Sequence, residues 1–335
     1  MSARRRAGCV SGEAEVIDLF AGAGGWEEAL KPLGFRALGV ETDPWACAAA
    51  RAAGHLRLQA DVAALGPAGF APVLGLVASP PCQAFTVCGR RLGWADMPVV
   101  VACAHELAAG GDTRAGRLGE CRDPRSLLSV EPLRWALALR PRWLAFEQVP
   151  AALELWSLLA GLLASHGYQS AVGLLSAERY GVPQTRKRAF LIASLDGPVA
   201  LPEPTHHAYV YGCRCPSRGA LRPYRSMAQA LKCEPEGMLH TNNQTHSGKR
   251  PRGLCRPLSL PAYTVDTSAG SWTIQDTRIT PSQAGAFQGF RGSYPWQGPR
   301  TRQFQQAGNA VSPPLARRIL AEAMRPTRHR GRQGV

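Results

Sequence analysis

The stretch Val16-Ile17-Asp18-Leu19-Phe20-Ala21-Gly22-Ala23-Gly24-Gly25, running on into Trp26-Glu27-Glu28-Ala29-Leu30, decides the fold. Its apolar start, Val16 to Phe20, reads as a short strand. A turn of small residues follows, and Trp26 to Leu30 reads as a helix. Outward from this point the alternation repeats. Phe35 to Val40 is strand-like and stops at Glu41, Pro44 to Ala53 is Ala-rich and helical, and a short strand ends at Asp61. Val73 to Ala78 is a third apolar run, ending at Ser79-Pro80-Pro81-Cys82. Leu127 to Leu139 reads as a helix, and Trp143 to Phe146 as a strand with Glu147 at its end. Leu153 to His166 is an amphipathic helix, and Ala189 to Ser194 is another strand. Strands alternating with helices predict an α/β unit, a parallel sheet covered on both faces. Ligands of such sheets sit beyond the carboxyl ends of the strands. Asp18, Glu41, Asp61, Cys82 and Glu147 all fall at such ends.

From Leu195 to Gln275 the texture changes. Prolines at 202, 204, 216, 223, 235, 251, 257 and 261 interrupt it, and periodicity is weak, which predicts a smaller, loop-rich second unit. Leu315 to Met324 is helical again. The expected organisation is residues 1–194 as the first unit, 195–300 as the second, 301–324 returning to the first, and 325–335 as a basic tail. Hydrophobic residues make up 45% and charged residues 19%, as in an ordinary globular chain. The excess of 39 Lys and Arg over 24 Asp and Glu, +15 in all, favours a polyanionic partner. No uninterrupted apolar run suits a membrane span, and Met1 to Val16 lacks the apolar core of a secretory signal. Ten cysteines without a CxxC pair are read as reduced thiols of a cytosolic protein.

The glycine turn allows a ligand to approach the backbone at a helix N-terminus, and Glu41 is placed to accept from ribose hydroxyls. An adenosyl ligand, a nicotinamide dinucleotide and a purely structural turn all remain open on those residues. Asp61 favours the adenosyl reading, because its carboxylate can accept from an exocyclic adenine amine. The sequence Ser79-Pro80-Pro81-Cys82-Gln83 is more specific: two prolines hold a thiol at the mouth of a strand. Most cysteines are small buried hydrophobes, and Cys9, Cys47, Cys103, Cys121 and Cys233 are expected to be so.

Five spaced motifs, DLFAGAGG (18–25), SPPCQ (79–83), EQVP (147–150), QTRKR (184–188) and QAGNAVSPP (306–314), occur in the order of the cytosine-C5 DNA methyltransferases, which the chain closely resembles. The resemblance implies a Rossmann-like S-adenosylmethionine-dependent catalytic domain with a smaller target-recognition domain, of bacterial or phage type. Cys82 then matches the nucleophile that adds to cytosine C6, and Glu147 the carboxyl group that binds N3 and the 4-amino group. Arg188, and secondarily Arg186, match the basic pair near cytosine O2 and the phosphate. Asp18, Phe20, Gly22, Gly24, Gly25, Glu41, Thr42, Asp61, Val62, Pro81, Asn309 and Val311 are the implied contacts of S-adenosylmethionine, with Phe20 on the adenine. Without the other motifs, Arg186-Lys187-Arg188 would pass for a solvated charge run and Asn309 for a helix cap. One position departs from the family: Gln148 stands where Asn is usual, and is expected to keep the amide's hold on the nucleophile loop.

The resemblance further implies that the enzyme takes the cytosine out of a DNA duplex. Residues 84–122 match a mobile loop that closes over the base, with Arg90, Arg91, Arg114, Arg117 and Arg122 along it and Gly110-Gly111 as a hinge. In the recognition region Asn242, Asn243, Gln244, Lys249, Arg250 and Arg252 suit base edges and phosphates. Phe287-Gln288-Gly289-Phe290 resembles the element that packs that region in place. His206, His207, Cys213 and Cys215 fit no standard zinc spacing, and no metal is expected. Duplex DNA is the expected partner, with a cognate restriction endonuclease as a functional companion and the bacterial cytoplasm as the location. Three other readings stay open: the family's tRNA-methylating branch, a silent DNA-binding homologue, and a nicotinamide oxidoreductase that would leave SPPCQ and GNAV without a role.

Overall fold

The computed structural model describes residues 14–81, 92–213, 219–241 and 253–327. In chain order the first elements are β1 (Val16–Leu19), α1 (Gly25–Leu30), β2 (Ala37–Glu41), α2 (Pro44–Ala52), β3 (Leu56–Gln59), β4 (Gly75–Ala78), α3 (Leu92–Ala108) and the single turn α4 (Arg114–Arg117). Then come α5 (Glu131–Leu139), β5 (Trp143–Gln148), α6 (Leu153–Ser165), β6 (Gln169–Ser176) and β7 (Lys187–Ser194). Among the described residues, seven strands form one sheet in the order β3-β2-β1-β4-β5-β7-β6. The strand order reverses at β1, which pairs in parallel with both β2 and β4. That reversal opens the crevice in which α/β sheets take their ligands. The sheet is mixed rather than wholly parallel, because β7 runs antiparallel to both β5 and β6.

Side chains alternate across each strand. Ile17, Leu19, Leu76, Leu144 and Phe146 enter one core with Val100, Leu133 and Trp156 of α3, α5 and α6. Val16, Val77, Trp143 and Ala145 enter the other, against Trp26 and Leu30 of α1. The same face receives Leu315 and Ile319 from a late helix, α10 below.

Residues 92–108, expected within a mobile loop, form a 17-residue helix with Pro98 inside it. Val100, Cys103, Ala104 and Leu107 are buried in the core beside the sheet, and that packing outweighs the weak helix propensity of Val99, Val100 and Val101. Asp96 anchors the helix by accepting from the Arg122 and Asp123 N–H groups at 2.8 and 3.0 Å and from the Ser126 hydroxyl at 2.7 Å. Burial pushes its carboxyl up, but these donors outweigh it and hold it below the usual value. Gly110, at φ +90°, closes the helix, its N–H donating to the Leu107 carbonyl at 3.0 Å. Arg114 is paired with Asp112 and Glu131, and Arg117 with Glu106 and Glu120. Arg90 and Arg91 lie outside the described residues.

The second unit carries α7 (Met227–Leu231) and a small antiparallel sheet of β8 (Met238–His240), β9 (Cys255–Pro257), β10 (Thr273–Ile274) and β11 (Thr277–Arg278). The chain continues through α8 (Pro281–Gln288) and α9 (Arg300–Asn309) to α10 (Pro313–Ala323). Leu239, Val265, Trp272, Phe287, Phe290, Tyr294, Trp296 and Phe304 form its core, which reaches Ala23, Ala49 and Ala53 of the first unit. Helix α9 belongs to this core, whereas α10 lies on the large sheet. Cys47 and Cys103 are buried as expected, and Cys121 is half-buried. Cys233 is exposed, because it follows the left-handed cap Lys232 that turns the chain away from α7.

Candidate active site

At the carboxyl ends of β1, β2, β4 and β5 lies a cavity of about 470 Å³, within the usual range for small-ligand sites. Phe20, Gly22, Gly25, Glu41, Thr42, Pro81, Glu147, Arg186, Arg188, Asn309 and Val311, all expected at the site, line it together.

The cofactor side is built on the glycine turn. Phe20 holds φ +57°, a conformation costly for a bulky residue, at the point where β1 ends. Gly22 also has a positive φ, and a side chain there would meet nothing within 4 Å, so its backbone is open to a ligand. Gly25 is constrained differently: a Cβ would come within 2.5 Å of the Val311 carbonyl, so the C-terminal segment closes directly on the start of α1. Glu41 Oε1 accepts from the Thr42 and Asp43 N–H groups at 2.8 Å each. Its Oε2 accepts from Gly22 N at 2.8 Å. A carboxylate oxygen has two acceptor sites, so Oε2 keeps one for a ligand hydroxyl. The open backbone at Gly22 and this free acceptor fit an adenosyl cofactor.

Four expected cofactor contacts do not line the cavity. Asp18 points to the opposite side of β1 from Ile17 and Leu19 and is fully buried beside Glu27 and Arg57. Burial first, then the Glu27 carboxylate, raise its carboxyl well above the ordinary value. Gly24, at φ +109°, is packed against His55 and Tyr294. Asp61 is exposed beyond the end of β3, its Oδ1 accepting from Ala63 N at 2.9 Å, and Val62 is buried in the core.

On the opposite wall, Glu147 is 6% exposed and Arg188 Nε lies 3.1 Å from its Oε1. The pair faces the Ser79-Pro80-Pro81 segment, of which Pro81 is the last residue described before Cys82; Cys82 and Cys88 lie outside the described residues. Gln148 donates to the Pro80 carbonyl at 2.8 Å and to that of Pro81 at 3.4 Å, while its Oε1 accepts from Val149 N at 2.7 Å. The longer amide therefore does fix the segment that leads to Cys82. Arg186, 4% exposed, donates to the Val265 and Ala310 carbonyls at 3.0 and 3.4 Å and so ties the two units together at the cavity wall.

Several site residues escape a reading of the sequence. Trp26 lines the cavity and donates from Nε1 to Ser79 Oγ at 3.0 Å. Arg125 and Leu128 line it too, and only the charge of Arg125 could have signalled this. Gln184 and Gln288 stand inside quoted motifs but act in the interior. Gln184 Nε2 donates to Gln288 Oε1 at 2.7 Å, and its own oxygen accepts from Val265 N at 2.6 Å. Gln288 also donates to the Ala307 carbonyl at 2.8 Å and accepts from the Ser312 hydroxyl at 2.7 Å. This buried chain of amides joins QTRKR, FQGF and the GNAVS return. The candidate base readers Asn242, Asn243, Gln244, Lys249, Arg250 and Arg252, and Cys215, lie outside the described residues. Among the described residues, no three His, Cys, Asp or Glu side chains are grouped to hold a metal, and no helix is long and apolar enough to cross a membrane.

A glycine turn, a strand-end carboxylate and a second polar wall around one crevice of an α/β sheet mark the active site of an α/β enzyme that takes a nucleoside-type ligand, and they suit an adenosyl-dependent methyltransferase. The chain belongs to the C-5 cytosine-specific DNA methylase family, whose model matches residues 14–98 and 113–212. Its activity is methyl transfer to cytosine C5 in DNA. It is 27% identical to the Type II methyltransferase M1.HphI of Haemophilus parahaemolyticus, over 92% of this chain and 86% of that protein. It is 28% identical to the Type II methyltransferase M.NaeI of Lentzea aerocolonigenes, over 91% of this chain and 73% of the relative. Among solved structures, the Dnmt2 methyltransferase of S. pombe shares the fold, with a TM-score of 0.62 and 15% identity over 94% of this chain and 99% of that one.

Proposed function

We propose that the enzyme rotates a cytosine out of duplex DNA into this cavity and methylates it through a covalent adduct on Cys82. The observation that carries the reading is the wall shared by Glu147, Arg188 and Gln148: a paired carboxylate and guanidinium stand opposite a proline segment that Gln148 fixes immediately before the thiol. In this scheme the Cys82 thiolate forms a bond to C6 while Glu147, held by Arg188, supplies a proton at N3, so that the electron pair gained by the ring is delivered at C5. Bound S-adenosylmethionine supplies an electrophilic methyl group there. Loss of the C5 proton to a base, elimination of the thiolate and return of the N3 proton to Glu147 restore the neutral ring and free the protein. The cofactor is held by Phe20, Gly22, Glu41, Thr42, Asn309 and Val311. Unstacking costs a few kcal/mol, offset by phosphate and pocket contacts.

Residues 1–194 act as the catalytic domain, 195–300 as the recognition domain, 301–324 as the returning segment and 325–335 as a basic tail. The similarity to bacterial Type II enzymes supports action in a bacterial cytoplasm alongside a cognate endonuclease. The test is a duplex in which 5-fluorocytosine replaces cytosine. The fluorine blocks the final elimination, so a stable complex carrying one added methyl should form at Cys82 and be absent in Cys82→Ala. Undiminished methylation by Cys82→Ala would overturn the scheme.

A further inference from the structure

Many of the arginines are balanced locally: Arg57, Arg114, Arg117, Arg125, Arg134 and Arg142 each face an acid. The positive excess must therefore lie elsewhere, and one concentration of it stands beside the cavity without belonging to its lining. Ala177 N donates to the Arg186 carbonyl at 2.8 Å, which places the turn 177–180 next to the cavity wall. Thr205 N and His206 N donate to the Arg179 carbonyl at 2.9 and 3.0 Å. Arg222 N in turn donates to the Thr205 carbonyl at 3.1 Å, and His207 N to that of Arg222 at 2.8 Å. Arg222 thus lies three hydrogen-bonded chain segments from Arg186.

Arg225 follows three residues on, and α10 packs through Leu315 and Ile319 in one cluster with Ala177 and Tyr180 of the same turn, so its Arg318 lies on that side of the molecule. Arg222, Arg225 and Arg318 are exposed. None forms an ion pair with an acid among the described residues. His206 is close enough to feel all three: burial first, then these guanidiniums, hold its pKa below the usual histidine value.

We infer that Arg222, Arg225 and Arg318 form a phosphate-binding platform that holds the duplex flanking the target base. The inference rests on the reading of duplex DNA as substrate. The platform grips backbone rather than bases, so it raises affinity for any flanking sequence and adds nothing to the chemistry at the cytosine.

The experiment uses the full chain and the triple variant Arg222→Gln/Arg225→Gln/Arg318→Gln. Fluorescence anisotropy with an arbitrary 30-base-pair duplex, run over a salt series, reads the number of phosphates neutralised. Each lost contact lowers the slope of log K against log salt by about 0.9, so the triple variant should lose between about 2 and 3. Methyl transfer to plasmid DNA should show a raised KM and an unchanged kcat. Lys31→Gln/Arg36→Gln/Arg140→Gln removes the same charge at the opposite, amino-terminal edge of the sheet and should leave the slope within about 0.5 of wild type. An unchanged slope in the platform variant would overturn the inference, as would an equal loss in the control variant, which would make the effect one of net charge. A loss seen with tRNA but not with the duplex would overturn the commitment to DNA. If the wild-type protein itself adds no methyl to plasmid DNA, the functional reading fails instead, whatever the slopes.

Discussion

Gln148 offers a test whose outcome runs against the family's own preference. Asn is usual at this position, yet here Asn should be worse. The Gln148 Nε2 to Pro80 carbonyl bond is 2.8 Å. Removing one methylene withdraws the amide by about 1.5 Å, a carbon–carbon bond length, and leaves a gap of roughly 4 Å, too long for a hydrogen bond. Either the Pro80 bond or the 2.7 Å bond from Val149 N must then be given up. A buried partner left unsatisfied costs about 1–3 kcal/mol, and at about 1.4 kcal/mol per tenfold this is roughly a 5- to 150-fold loss of rate. The loss should fall on kcat and on the rate of 5-fluorocytosine adduct formation, because the carbonyls that are released immediately precede Cys82. The KM for S-adenosylmethionine, whose side of the cavity Gln148 does not hold, should stay within about twofold. Gln148→Glu should be slower still, since it matches the native length but sets an oxygen against the Pro80 carbonyl oxygen. Single-turnover methyl transfer with labelled cofactor measures both. If Gln148→Asn and Gln148→Ala turn over within twofold of wild type, the loop is held by something else and the argument fails.

Glu147→Gln removes the proton donor at N3 while keeping shape, and should lower kcat by about 10²–10⁴-fold; a kcat within about twofold of wild type would make Glu147 a structural partner of Arg188 only. Gly25→Ala drives a methyl group to 2.5 Å from the Val311 carbonyl, so thermal unfolding should shift down and cofactor affinity should fall together; an unshifted melt would mean the C-terminal return is not packed there. Arg57→Met strips the partner from buried Glu27 and the donor from the Gly22 carbonyl, a bond of 3.0 Å. It should cost about 3–5 kcal/mol in denaturant unfolding, and a loss under about 1 kcal/mol would show the pair to be dispensable. Asp18 carries a raised carboxyl pKa through burial and the Glu27 charge, so the folded chain keeps a proton that the unfolded chain releases. Its contribution is complete below about pH 4 and is lost as pH rises through the raised value. The stability of wild type relative to Asp18→Asn should therefore decline with rising pH; a flat difference would mean that Asp18 is ionised in the folded state.

The α/β alternation up to Asp61 and the strand and helix around Glu147 are legible because each lies in a short run of consistent periodicity. The mixed character of the sheet is not. Strand β6, Gln169 to Ser176, begins with polar residues, exposes Leu174 and includes Gly173, where a Cβ would meet Leu201 at 2.6 Å. It reads as no strand, and without it the direction of β7 cannot be inferred. Helix α3 is hidden by Pro98 and three consecutive valines, whose local preferences give way to burial in the core beside the sheet.

The site shows the same division for a different physical reason. Residues that act on a ligand are of restricted type and fall in short motifs, so Glu147, Arg188, Phe20 and Val311 stand out. The contacts that hold them end on main-chain carbonyls: Gln148 on Pro80, Arg186 on Val265 and Ala310, Arg57 on Gly22, Tyr294 on Ala23. Every residue presents a carbonyl, so the acceptor half of each contact leaves no mark in the sequence. Only the donor could be noticed, and an Arg or Gln donor is indistinguishable by type from a surface residue. Asp18 shows the converse. Its place at the end of β1 suggests a ligand contact, but the alternation of side chains along that strand turns it toward Glu27 and Arg57, beneath the turn rather than into the cavity. Its place is therefore in the support of the turn. It lies in the buried charge cluster whose Arg57 holds the Gly22 carbonyl while Glu41 holds the Gly22 N–H, and the glycine that must lie open to the cofactor is fixed from both sides by groups only one of which the ligand can touch.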